Sequence, residues 1–258
     1  MGRAAAAAYP ASMGENNARL VAVLTGAGVS TESGIPDYRG PQGVWRKNPG
    51  AERLVTYRAY MDDPEVRRES WRMRMTSPVW RAEPNAGHRA LVDLERSGTP
   101  MRIITQNIDG LHQKAGSTPR KVLELHGTAS TVVCTGCGDR GPMEGALARV
   151  EAGEADPPCL SCGGILKSAT VMFGQALDSG TIQQAAKIAR VCDLFLAVGT
   201  SLQVEPAASL CRVAVESGAR LVIVNAEPTP YDALADQLIR EPIGTALPGL
   251  VSEITDSA

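Results

Sequence analysis

The sequence predicts an α/β fold, a doubly wound parallel sheet with one smaller inserted module, on three observations. Apolar runs of strand length recur along the chain and alternate with helical segments, as in a parallel sheet covered by helices. The runs at residues 20–24, 102–105, 122–125, 193–198 and 220–224 are mostly apolar rather than alternating, as strands buried on both faces must be. Between residues 128 and 169 this pattern gives way to glycine, proline and paired cysteines.

Residues 1–17 are alanine-rich and then polar, and read as a disordered tail rather than a signal peptide. The strand at 20–24 runs into Gly26 and Gly28, which let backbone approach a ligand closely. Ser30 or Thr31 is placed to cap a helix whose free N–H groups face an anion. A tight strand-to-helix turn would use the same glycines. The following stretch, SGIPDYRG at residues 33–40, is too polar for a plain connection, and residues 41–45 continue it as a flap. Residues 65–75 read as a surface helix and 85–95 as a capped amphipathic helix burying Leu91 and Leu94. His88 within it reads as a hydrogen-bonded structural residue.

The strand at 102–105 delivers Gln106, Asn107, Ile108 and Asp109 at its carboxyl end, where ligands of open α/β sheets bind. A helix cap would also use Asn107 or Asp109. A short helix at 111–115 and a strand at 122–125 follow, the latter ending at His126, which is suited to proton transfer near neutral pH. Beyond a helix at 142–152, the sheet resumes with a strand at 170–173, a helix at 178–190 and the strand at 193–198 ending in Gly199, Thr200 and Ser201. A helix at 207–216 and the strand at 220–224 ending in Asn225 complete the repeat. Gly26, Gln106, His126, Gly199 and Asn225 are thus expected along one edge of the sheet.

At 258 residues, 43% hydrophobic and a net charge of −2, the chain reads as globular, with nothing in its charge to indicate nucleic acid or membrane partners. No apolar run approaches the roughly 20 residues of a spanning helix, and a cytoplasmic location and a monomer are expected. Six cysteines occur. Cys134 with Cys137 and Cys159 with Cys162 form two C-x-x-C pairs, which in a chain without an export signal mark a zinc site; redox motifs are the alternative. Four thiolates fill tetrahedral zinc and leave no open position, so that one ion would be structural. Cys192 and Cys211 lie in apolar segments and read as core residues.

With these residues in view, the chain resembles the sirtuin family of NAD-dependent protein deacylases from about residue 20 to 251. The matching blocks are GAGVSTESGIPDYRG, TQNIDGLH, LHG, the two C-x-x-C pairs, GTSLQVEP and VIVN, in the family's order. YRGPQGVW, LKSATVMFG and VIVNAEPTPYDALADQLI look most like a bacterial-type member close to the branch with the chromatin-associated human sirtuins. The resemblance implies a Rossmann-like NAD-binding domain at 18–127 and 170–258, with a zinc ribbon at 128–169.

The resemblance also implies site roles. Gly26, Ala27, Gly28 and Thr31 would cradle the diphosphate of NAD, and Tyr38 and Arg39 would close over the ribose. Gln106, Ile108 and Asp109 would hold the nicotinamide end, Asn107 the ribose and an ordered water, and His126 would act as base. Gly199, Thr200, Ser201, Asn225 and Ile243 would line the adenosine half. An acyl-lysine peptide would bind as an added strand between Phe173-Gly174 and residues 202–205 with Val204. The implied reaction moves an acetyl or other apolar acyl group from lysine to ADP-ribose. Relatives that remove succinyl or malonyl groups carry a tyrosine and an arginine ahead of PNAGH, whereas residues 71–75 here offer arginines without tyrosine. Tyr38 stands where most of the family has phenylalanine. The alternatives are a protein mono-ADP-ribosyltransferase and a non-catalytic NAD-sensing module.

Overall fold

Strand β1 (Val21–Thr25) is Val-Ala-Val-Leu-Thr, and all of it is buried. Its side chains alternate between two apolar cores, as a strand's two-residue period dictates. Ala22 and Leu24 face one core and Val21 and Val23 the other. The computed structural model describes residues 20–256 apart from Arg39, Pro41 and Gln42, and omits the side chains of Trp45, Arg46 and Pro49. The tail expected at 1–17, Arg39, and the first part of the expected flap therefore lie outside the described residues.

The remaining strands are β2 (Met101–Thr105), β3 (Val122–Glu124), β4 (Gly127–Cys134), β5 (Arg140–Pro142), β6 (Leu166–Thr170), β7 (Leu194–Val198), β8 (Arg220–Val224) and β9 (Gln237–Ile239). The larger sheet has the order β3-β2-β1-β7-β8-β9, with every neighbouring pair parallel. The α-helices are α1 (Val44–Lys47), α2 (Tyr57–Asp62), α3 (Pro64–Met75), α4 (Ala86–Arg96), α5 (Leu111–Ala115), α6 (Met143–Glu151), α7 (Ser179–Val191), α8 (Ser209–Glu216) and α9 (Ile243–Asp256). On one face of the large sheet α7 and α8 contribute Ala185, Ala189, Leu210, Cys211 and Ala214. On the other, α4 and α9 contribute Leu91, Leu94, Leu247, Leu250 and Val251. Cys192 and Cys211 are core residues, as expected. No described helix is long and apolar enough to cross a membrane.

A second, antiparallel sheet has the order β5-β4-β6. Its core joins Val132, Met143, Ala146 and Leu166 to Trp71 of α3, with Cys134 and Cys159 at its edge. Leu54, Tyr60 and Val66 pack with Met172 beside it. Helices from the segment before α4 thus complete the core of the smaller unit, which the sequence analysis confined to residues 128–169. Strand β9 and helix α9 were not read from the sequence.

The strand expected at 170–173 in the large sheet is absent. β6 ends at Thr170 and pairs with β4, while Phe173 makes an isolated parallel bridge to Thr56. The backbone donors of this stretch are taken at the seam between the sheets, Val171 N by His126 O at 2.9 Å and Phe173 N by Val55 O at 2.9 Å. The extended backbone that reads as a strand therefore connects the two units.

Gly199 follows β7 with φ +60°, and a Cβ there would stand 2.4 Å from Val29 N. Left-handed backbone costs an L-residue about 1–2 kcal/mol, and the overlap adds to it. Gly199→Ala is expected to lose at least that much in urea unfolding at an unchanged m-value, while Gly98→Ala, also at positive φ but with open space around it, loses less.

Candidate active site

The chain leaves β1 for β2 and β3 on one side, and β7, β8 and β9 lie on the other. Open parallel sheets bind ligands outside the strands' carboxyl ends at such a reversal. Here the turn after β1 meets the turn after β7. Gly26 N donates to Val198 O at 3.1 Å and Gly28 N to Gly199 O at 2.8 Å. A Cβ on Gly26 would stand 2.8 Å from Gly199 O, and one on Gly28 2.8 Å from Gly199 Cα. The close approach that these glycines permit is thus to the opposite turn.

Residues Ala27–Ser33 form a 3-10 helix capped by Gly26. Ser30 and Thr31 lie inside that helix and are not caps. Thr31 is exposed and donates its hydroxyl to Gly28 O at 2.9 Å, while Ser30 is buried and turned inward. Ser30 Oγ donates to Asp109 Oδ2 at 2.7 Å and accepts from Asn107 Nδ2 at 3.1 Å. Asn107 Nδ2 also reaches Gly26 O at 3.1 Å, and Asp109 Oδ1 accepts from Leu111 N at 2.9 Å. Ser30 therefore joins the two polar residues delivered by β2 to the turn after β1. Its role was not legible in the sequence, because side-chain direction within a 3-10 turn is set by the opposing strand.

Gln106 Nε2 donates to Thr200 Oγ1 at 2.9 Å, and its backbone carbonyl lies 2.8 Å from His126 Nδ1. A carbonyl only accepts, so Nδ1 carries the hydrogen and Nε2 presents a lone pair. Burial holds the His126 pKa below the ordinary imidazole value, against a smaller upward contribution from the Gln106 carbonyl. The imidazole is therefore neutral at pH 7 and able to accept a proton at Nε2.

Behind this cluster His88 and His112 are buried with ring centres 5.0 Å apart. His112 Nε2 lies 3.0 Å from Thr25 Oγ1, which donates to Thr105 Oγ1 at 2.8 Å; Thr105 Oγ1 accepts from Asn107 N at 3.0 Å. His88 Nδ1 bonds Asn85 Oδ1 at 3.0 Å, and Asn85 Nδ2 donates to Val29 O at 2.8 Å and Ser33 Oγ at 3.0 Å. Burial lowers the two pKa values to about 4 and about 3, with the Asp109 charge opposing the shift at His88. His88 is structural, as expected, and His112 shares that role.

At the other end, Asn225 N donates to Ile239 O at 3.0 Å and its side-chain amide to Glu227 O at 2.7 Å. Ile243 at the start of α9 packs on Gly199, with Cδ1 2.9 Å from where a Cβ there would stand. Glu32 accepts from Gly244 N at 2.9 Å, tying the first turn to α9. Ala27, Ile108 and Ser201 are half-buried along the same edge. Tyr38 is 39% exposed. Burial raises the Tyr38 pKa, opposed by the Arg74 charge and reinforced by that of Asp109. Phe173, 36% exposed, and Gly174 lie at the seam beside Val55 and Tyr57, whereas Val204 lies on the turn after β7.

The sulfurs of Cys134, Cys137, Cys159 and Cys162 lie within 4.8 Å of one another. Sγ of Cys134 is 3.5 Å from that of Cys162, and Sγ of Cys137 is 3.8 Å from that of Cys159. Tetrahedral zinc, with bonds of about 2.3 Å, sets sulfurs roughly 3.8 Å apart, so this donor set fits one ion with no open position. The Cys137 and Gly136 N–H groups favour the Cys134 thiolate, whose pKa falls to about 6. The ion would be structural.

A reversed parallel sheet with polar residues at its carboxyl ends, a neutral histidine among them and a separate four-sulfur module define a nucleotide-binding enzyme of the Rossmann class with a zinc ribbon. The Sir2 family profile matches residues 26–206, and the chain belongs to that family, the sirtuins. It is 69% identical over 232 residues to NAD-dependent protein deacetylase 2 of Streptomyces coelicolor, an alignment covering 90% of this chain and 96% of the relative. A structure described as "Structural Basis for the Mechanism and Regulation of Sir2 Enzymes" matches with TM-score 0.83 and 39% identity, covering 93% of this chain and 94% of that one. A Sir2 protein with a p53 peptide and NAD+ matches with TM-score 0.79 and 34% identity, covering 92% of each chain.

Because Trp71 is buried in the core that holds Cys134 and Cys159, metal loss has an optical signature. About one zinc per chain is expected by elemental analysis. Cys134→Ser or chelation should open that core and shift tryptophan emission to the red.

Proposed function

We propose that the chain removes acetyl or other apolar acyl groups from lysine side chains of proteins and peptides, with NAD consumed and the acyl group passed to ADP-ribose. One observation carries the reading: His126, fixed through Nδ1 on the Gln106 carbonyl, keeps Nε2 free beside the segment that bears Asn107 and Asp109. The relatives described above, a deacetylase and a Sir2 protein with peptide and NAD+, support it.

NAD, when bound, supplies an activated ribose that the acyl carbonyl oxygen captures as nicotinamide departs. The residues of this chain bind and orient it. Gly26, Ala27, Gly28 and Thr31 would hold the diphosphate, Tyr38 would cover the ribose, and Gly199, Thr200, Ser201, Asn225 and Ile243 would take the adenosine half. Gln106, Ile108 and Asp109 would bind the nicotinamide end, and Asn107 the adjoining ribose. A carbonyl oxygen is a weak nucleophile, so placement and exclusion of water contribute most of the rate. His126 Nε2 accepts a proton from a ribose hydroxyl. The peptide backbone lies extended between Phe173-Gly174 and residues 202–205, with Val204 on that edge, making main-chain bonds that tolerate many sequences.

Incubation with NAD and an acetyl-lysine peptide is expected to give free lysine peptide, nicotinamide and acetyl-ADP-ribose by mass spectrometry. His126→Ala should abolish the acetyl-ADP-ribose while keeping most of the affinity for NAD. ADP-ribosylated protein without deacetylated peptide would overturn the reading.

The pH dependence follows from the His126 shift. The base must be unprotonated and burial lowers its pKa, so activity should persist at pH 7. The acid limb of kcat against pH should lie below the ordinary histidine value of about 6.5.

A further inference from the structure

The loop leaving β7 contains backbone strain. Leu202 has φ +52°, a left-handed conformation that L-residues hold only where their surroundings enforce it. Ahead of the strain, Leu202 N donates to Thr200 Oγ1 at 3.3 Å, and the Leu202 side chain is buried in the same core as Tyr231. Beyond it stands the Glu205 carboxylate, whose two oxygens are held by different elements. Oε2 accepts from Ser209 N at 3.1 Å and from the Ser209 hydroxyl, at the start of α8. Oε1 accepts from the Tyr231 hydroxyl at 3.4 Å, from the loop beyond β8.

That second loop is itself rigidly tied. Asp232 Oδ1 accepts from Thr229 N at 3.1 Å and Thr229 Oγ1 at 2.7 Å, while its other oxygen pairs with Arg240. Tyr231 N donates to Thr229 Oγ1 at 3.2 Å, and the Arg212 guanidinium lies 5.9 Å from the centre of the Tyr231 ring. Ser209 alone would leave the carboxylate free to pivot. A bond to the other oxygen from a buried phenol fixes its plane and, with it, the backbone leading into it.

We propose that Tyr231 is a positioning residue for the acyl-peptide substrate: through Glu205 it fixes residues 202–205, the edge to which the substrate backbone adds. The proposal rests on the reading of that edge as the peptide site. Residues 202–205 bend into a turn rather than run extended, and Val204 O is already taken by Ala208 N; holding the remaining N–H and C=O groups of this loop in place in advance avoids the entropic cost of ordering them on binding. Tyr231 is a core residue bonded to Glu205 and lies outside the residues assigned to peptide and NAD, so its removal is expected to act on peptide affinity alone.

The test is steady-state kinetics with NAD and an acetyl-lysine peptide. Tyr231→Phe keeps the ring in the core and removes only the hydroxyl. It is expected to raise the peptide KM about three- to tenfold, the size of one hydrogen bond, with kcat, the KM for NAD and Tm little changed. Glu205→Ala, which also frees the Ser209 donors, should raise the peptide KM at least as much, and adding Tyr231→Phe to it should raise it no further, because both remove one linkage. Glu205→Gln, which keeps an acceptor for Tyr231, should recover part of the loss. An unchanged peptide KM in Tyr231→Phe, additive effects, or a parallel rise in both KM values with a lower Tm would overturn the proposal. Val204→Asp separates the two levels. If it raises the peptide KM while Tyr231→Phe does not, the positioning role alone falls; if it leaves the peptide KM unchanged, the edge is not the peptide site and the proposal falls with it.

Discussion

The contact between the turns after β1 and β7 fixes the geometry of everything above the sheet. It is made by backbone against backbone, Gly26 and Gly28 against Val198 and Gly199. No side chain intervenes whose rotamer could adjust the spacing, so peptide geometry sets it. The parallel register of β1 with β7 brings the turns level, pairing Thr25 with Val198. Thr200, two residues further along, then comes within reach of Gln106 just after β2, and Ile243 seats against Gly199 from α9. Three elements distant in sequence thus take their positions from one glycine contact.

The hydrogen-bonded layer beneath the site governs its charge. His88 and His112 stay neutral because burial removes the solvation of a cation and no carboxylate bonds their rings. Within the network of Ser30, Asn107, Asp109, Gln106, Thr200 and the two imidazoles, Asp109 is the charged member. Protonated histidines there would neutralise the carboxylate that is proposed to meet the cationic nicotinamide end. Burying them as neutral groups leaves that carboxylate uncompensated by either imidazole. Their burial therefore has an electrostatic consequence as well as a packing one.

Much of this was legible in the sequence because the strands are short, apolar and parallel, and their carboxyl ends are marked by polar residues. The strands at 20–24, 193–198 and 220–224, the cap at Asn85, the buried Leu91 and Leu94 and the four-cysteine cluster all follow from local pattern. What local pattern does not contain is partner choice. Residues 170–173 carry a strand's composition, but their backbone donors go to His126 and Val55. Gly26 and Gly28 signal a close approach without saying what approaches. Ser30 has the composition of a cap, and only the opposing Asp109 and Asn107 decide where its hydroxyl points. Gln237–Ile239 is short and largely exposed at the sheet edge, which removes the apolar signal that marks the inner strands.

His126 stands between β3 of the large sheet and β4 of the small one, so both units determine where its ring lies. Its ring is anchored on Gln106 from the large sheet, and its carbonyl accepts from Val171 beyond β6. The next residue, Gly127, has φ +72°, and a Cβ there would stand 2.1 Å from Ala169 O. The two backbones therefore pass too closely for any other residue. Beyond this crossing the register of β4 against β6 shifts between Gly127 and Val132, and the ladder resumes from Val132 with Ser168 to Cys134 with Leu166. A zinc ion held by the cysteines would clamp the far end of the same pair of strands. By holding the cysteine end of β4 and β6 it would brace the backbone from which the imidazole projects, so that the small module would support the placement of the proposed base.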